Sequence, residues 1–185
     1  MTDNISRKDI WDSAAKAGLA LGAVSIAYVL ITILLPSGSQ STIGALLISA
    51  GNLLLWVAKF AGCIFLMSFF MKKFADSHPG CIGSDTFRFG AATALLSSLV
   101  FSGFYLLYVT KIAPDTFEEA FNAVSELYAS VLDDNSREAM ESMKGSLPVV
   151  SFFSNFIYCT LYGTVLASIL SRRIPSPDPF DNIPQ

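Results

Sequence analysis

Residues 43–71 read IGALLISAGNLLLWVAKFAGCIFLMSFFM, a stretch of 29 residues whose one charged side chain is Lys59. About twenty mainly apolar residues suffice to cross the hydrocarbon core of a bilayer as a helix. This run therefore spans a membrane with length to spare, by tilting or by overhanging it. The nearest other cation is Lys72. A lone ammonium at that depth is costly, so it must meet a bundle interior, a water-filled cavity or an interface. One residue thus implies a membrane, several packed helices and some polar interior.

Three further segments meet the same length requirement: 13–35, closed by Pro36, Ser37 and Gly38; 87–109; and 147–170, with Pro148 in a first turn where its missing amide does no harm. The first is expected to be retained rather than cleaved as a signal peptide. Its apolar run is too long, Asp3, Asp9 and Asp12 precede it, and no small-x-small site follows Leu35. The fold expected is an all-α integral membrane protein, a four-helix bundle forming one domain over 1–174. A proline-rich extended tail, 175–185, follows it.

Composition agrees. Of 185 residues, 52% are hydrophobic and 15% charged, and the mean hydropathy is +0.53. Soluble domains carry about 25% charged residues. A net charge of −3 argues against nucleic acid, which calls for a basic face. Cys63, Cys81 and Cys159 are too few and too scattered for a disulfide framework.

The basic residues set an orientation. Arg7, Lys8, Lys16, Lys72, Lys73, Arg88, Arg172 and Arg173 fall on one side of a four-span topology; Lys111, Arg137 and Lys144 fall on the other. By the positive-inside rule both termini are cytoplasmic. The long segment 113–146 is then extracytoplasmic. It is acidic, and Asp115 with Glu118 has capping-box spacing. Phe117, Phe121, Val124, Tyr128 and Val131 recur on one helical face, and Asp134, Asn135 and Ser136 mark a break before a short second helix ending at Gly145. The expected result is an acidic helical hairpin or bent helix, its apolar stripe laid on the bundle mouth, the bilayer or a partner.

Several places in the chain together resemble a family of bacterial membrane proteins, domain of unknown function 4199. They are the Met71-Lys72-Lys73-Phe74 exit from the second span and the 83–90 entry, GSDTFRFG, to the third. The Tyr105–Tyr108 run, Ala113-Pro114, Ser171-Arg172-Arg173 and the late Pro179-Phe180 complete the likeness. It implies a small four-helix protein of the inner membrane and brings no catalytic residues with it.

Candidate site residues begin with Lys59. Asn52, Trp56 and Cys63 share its helical face, and Ser97, Ser98 and Ser102 on span three with Ser151 and Asn155 on span four offer polar partners. Lys59, Asn52 and Asn155 are the binding candidates. No Asp or Glu lies inside any span. Lys59 is therefore expected either to attract an anion or exchange protons in a polar cavity, or to snorkel toward the acidic segment. Small residues four apart, Ala14/Gly18/Gly22, Ala58/Gly62, Gly90/Ala94 and Gly163/Ala167, mark helix-packing stripes. Packing within the chain accounts for them, with a homodimer through Gly18 and Gly22 as the alternative. His78-Pro-Gly-Cys81 is two potential ligands around a turn, short of a metal site. Nothing calls for a metal or cofactor, and nucleophile elbows, phosphate loops and zinc-protease motifs are missing.

The leading functional reading is a non-enzymatic accessory or interaction protein of the membrane, whose partners are lipid and a second copy or another membrane protein. The alternatives are a small oligomeric transporter or channel using Lys59, and an envelope sensor binding through the acidic loop.

Overall fold

The computed structural model describes residues 6–34, 42–78, 81–128 and 133–174. The regular structure there is all helical: α1 Arg7–Leu34, α2 Thr42–Ser77, α3 Gly83–Leu107 with a π-helical turn Tyr108–Ile112, α4 Pro114–Tyr128, α5 Asp134–Met143 and α6 Leu147–Ser171. The helices α1, α2, α3 (with its π turn) and α6 are each long and apolar enough to cross a membrane. The proline-rich tail, the 36–42 loop, the Pro79-Gly80 turn and Val131 lie wholly or mostly outside the described residues.

Helix ends extend beyond the apolar runs because polar chemistry sets them. The α1 helix starts six residues before the expected span: the Ser6 hydroxyl accepts the Lys8 amide at 3.3 Å and the Ser6 carbonyl accepts Ile10 at 3.3 Å. Asp9 in the first turn complements the helix dipole. At 36 residues α2 is about 54 Å long, and the excess lies in its polar last turns, from Lys72 to Ser77. The Asp85 carboxylate reaches back to the Ile82 amide at 3.5 Å to start α3. At the other end of α3 the Ala113 amide donates to the Tyr108 carbonyl at 2.9 Å, a five-residue step that widens the last turn. Pro114 has no amide to continue that ladder and opens α4 instead.

Two details of the acidic segment differ from the sequence reading. Asp115 lies inside the first turn of α4 rather than capping it, since Pro114 already holds a helical position. The break comes before Asp134, not across 134–136: Asp133 is the cap, its carboxylate accepting the Ser136 amide at 3.1 Å. Lys144, just past the end of α5, reaches back to α4, lying 3.7 Å from Glu118 and over the Phe121 ring at 5.5 Å. Phe117 and Phe121 are half-buried, whereas Val124, Leu127 and Tyr128 stay exposed.

The bundle is built around α3, with α1 and α6 closely packed on either side. Lipid tails are as apolar as leucine, so helices associate in a membrane through close backbone approach and hydrogen bonds rather than hydrophobicity. A Cβ added at Gly18 would stand 2.9 Å from Leu96 Cβ, and one at Gly22 2.8 Å from Val100, so this stripe of α1 is filled by α3. On the other flank a Cβ at Gly163 would stand 2.5 Å from Ala94 Cβ, and one at Gly90 2.7 Å from Ala167. The Ser98 and Thr160 hydroxyls, 2.6 Å apart, add a hydrogen bond between α3 and α6.

The second helix is different. Its last third is anchored by Met67, Met71, Phe74 and Ala75, all buried, with Phe74 stacked on Phe89 at 4.4 Å. None of its described side chains between 44 and 66 is buried. The expected packing at Ala58 and Gly62 is not made within the chain: Ala58 is exposed, and a Cβ at Gly62 would meet nothing within 4 Å. The reason is that the buried contacts of α2 lie near its basic end, and further out it meets the other helices through the half-buried Lys59 and Phe60. The core is dense there and opens toward the other end.

Candidate functional site

Where α2 leaves the packed core, a cavity of about 100 Å³ opens between α1, α2, α3 and α6. Lys59 lines it. The residue lies 13 positions before Lys72, about 20 Å along the helix from the basic end, and so well inside a hydrocarbon core roughly 30 Å thick. Its side chain is half-buried and turns inward, between α1 and α3. The ammonium lies 4.9 Å from the Tyr28 ring centroid and 5.1 Å from that of Phe101. Snorkelling toward the acidic segment, expected from the sequence, is not what this side chain does. Two ring faces hold it in the bundle.

Magnitudes show why that is tolerable. A lysine at the centre of a span costs about 3 kcal/mol by insertion, and each cation–π contact returns roughly 0.5–2 kcal/mol. The rings thus offset a cost of the same order without any carboxylate. Among the described residues Lys59 makes no ion pair.

The other cavity walls carry hydroxyls and thiols: Ser25 on α1, Cys63 on α2, Thr93 and Ser97 on α3, and Cys159 and Tyr162 on α6. Thr93 is 1% exposed, and its Oγ1 has no hydrogen-bond partner. A buried hydroxyl in that state costs stability unless something fills the space beside it. The aromatic chain Trp56–Phe60–Tyr162, with centroids 4.4 and 5.4 Å apart, closes the side between α2 and α6.

Of the predicted companions of Lys59, Cys63, Ser97 and Ser98 line the cavity, whereas Asn52 and Asn155 do not. Asn52 is exposed on α2, and Asn155 is half-buried on α6. Ser102 is fully buried on α3, its Oγ without a partner, and is not a cavity residue. Tyr28, Phe101 and Thr93 were missed. Aromatic residues in spans read as packing or lipid-facing bulk, and a threonine in an apolar helix carries no signal of its own.

His78 and Cys81 do not converge. The His78 Nδ1–H donates to the Phe74 carbonyl at 2.9 Å, while Cys81 is buried with its Sγ 3.4 Å from the Thr86 hydroxyl. Burial pushes the Cys81 thiol above its ordinary pKa.

Four apolar helices with a cationic cavity among them make this a multi-pass membrane protein. Residues 16–173 match the model of a family described as protein of unknown function (DUF4199), and the chain belongs to that family. No curated protein and no solved structure matches it.

Proposed function

We propose that the protein is a non-enzymatic membrane protein that binds a small anion at Lys59 within the bilayer, as the binding unit of a small channel or transporter. The observation that carries this is the inward-facing ammonium, which pairs with no carboxylate among the described residues, in a cavity whose walls also carry Ser25 and Ser97. A cavity of about 100 Å³ admits a few waters or a monovalent anion of the size of chloride, nitrate or formate. Hydroxyl donors with a positive charge and no competing carboxylate favour that class of ligand. The positive-inside bias supports cytoplasmic termini and an extracytoplasmic α4–α5 segment, with Lys59 at the outer part of the cavity.

The test is chloride line broadening in NMR, together with anion flux in proteoliposomes. Broadening that saturates, and flux that Lys59→Met abolishes and Lys59→Arg partly keeps, is the expected result. A folded Lys59→Met protein with undiminished binding and flux overturns the proposal.

A second reading, an accessory protein acting through association, draws support from α2. Its Ala58 is exposed and its half-buried Gly62 has nothing within 4 Å of an added Cβ, whereas the Gly18/Gly22 stripe that the sequence offered for a homodimer is occupied by α3.

A further inference from the structure

A second polar pocket lies at the basic end, apart from the Lys59 cavity. Lys16 on α1, and Lys73 and His78 on α2, rim a space of about 250 Å³ whose floor is Phe70, Phe74 and Phe89. Ser13 adds a hydroxyl. The His78 Nδ1 proton is committed to the Phe74 carbonyl and the ring lies tilted at 33° against Phe74 with centroids 4.5 Å apart, so the imidazole is held in place. Both lysines are exposed. Asp12 stands four residues before Lys16 and Asp76 three after Lys73, yet neither lysine forms an ion pair among the described residues, and neither carboxylate lines the pocket.

Depth narrows the chemistry. Lys16 is the last charge of α1 before its apolar run, and Lys72 and Lys73 are the first charges of α2 after its own. The rim therefore lies at the boundary between the apolar and polar parts of the bundle, the level of lipid phosphates. Two ammonium groups and a hydroxyl there suit a phosphate oxyanion, and basic pockets between spanning helices at this level recognise anionic headgroups. Phe70, the half-buried ring of that floor, gives the first acyl methylenes an apolar seat that a free phosphate would leave unused. We infer that this pocket binds the phosphate of an anionic phospholipid. The inference goes beyond the Lys59 reading and stands or falls without it.

The experiment is native mass spectrometry of the full chain released from micelles, titrated with phosphatidylglycerol, phosphatidylcholine and, separately, inorganic phosphate. One phosphatidylglycerol is expected to bind saturably. Lys16→Gln with Lys73→Gln is expected to weaken it roughly thirtyfold, at about fivefold per lysine. Removing the same charge at the same end, by Arg172→Gln with Arg173→Gln, is expected to leave it nearly unchanged. Equal loss in the arginine variant would mean diffuse attraction and overturn the site. Binding of inorganic phosphate as tight as that of phosphatidylglycerol would overturn the lipid assignment. Where the double lysine variant fails to fold, Lys73→Gln alone decides: a fivefold loss supports the site, and unchanged binding refutes it.

Discussion

Gly163 has Ala94 Cβ 2.5 Å from where its own Cβ would be, with the Ala94 backbone just behind at 3.4 Å. A methyl added there has no flexible neighbour to displace, so Gly163→Ala should separate α6 from α3 and cost about 1–3 kcal/mol, read as a lowered thermal midpoint in detergent. Ser98→Ala, which removes the hydroxyl bridge to Thr160, should cost less, about 0.6 kcal/mol as for other hydrogen bonds between spanning helices. Cys81 offers a pH-dependent check on the same scale. Its thiol is buried and held above the ordinary pKa, so thiolate forms only as pH rises past the usual thiol range. Maleimide labelling of Cys81 in the folded protein should therefore lag that in denaturant, the gap narrowing toward alkaline pH. The sequence was informative about Lys59 only in part. That a lone lysine in a span needs an interior followed from charge and length. That its ammonium is held by the Tyr28 and Phe101 rings did not, because the rotation of each helix about its axis is set by which small residues interlock, and hydropathy does not encode that.

Among the elements, the four spans were legible because twenty apolar residues leave a chain few other options in a bilayer. Their ends were less so. The π turn at Tyr108–Ile112 has no hydropathy signature; only Pro114 hints that the ladder must stop. The hinge between α4 and α5 was misplaced because Asp133, Asp134, Asn135 and Ser136 are all cap-competent residue types, and only the 3.1 Å contact of Asp133 with the Ser136 amide selects among them. That cap carries a prediction with a sign. The hydrogen bond to Ser136 lowers the Asp133 pKa, so the stabilisation is complete above the ordinary carboxylate range and fades as pH falls through the lowered native value. Amides in the first turn of α5 should exchange faster in acid. Asp133→Asn, which also caps well, should remove most of that pH dependence while keeping protection, and Asp133→Ala should lose protection at every pH.

At the scale of the whole molecule the unequal packing of α2 matters most. The α1–α3–α6 unit is held by interlocked glycines and alanines along much of its length, whereas α2 is fastened through Met67, Met71 and Phe74 and then runs free of buried contacts. Lys59 sits at the point of departure, so the cavity owes its existence to the divergence: a closely packed α2 would close it. The same divergence leaves Ala58 exposed and Gly62 without a close neighbour, flanked by exposed Leu54, Val57 and Phe65. Small residues on an open face let another helix approach closely, whereas lipid gains nothing from them. Gly62→Leu should therefore lower the thermal midpoint of the chain far less than Gly163→Ala, since nothing lies within 4 Å of the first atom added, but lower the dimer fraction measured by in-membrane cross-linking of Ala58→Cys. Gly163→Ala should do the reverse, lowering the midpoint ahead of any change in association. A Gly62→Leu protein that cross-links as well as the parent would assign the open face of α2 to lipid alone, and would leave the anion cavity as a property of the single chain.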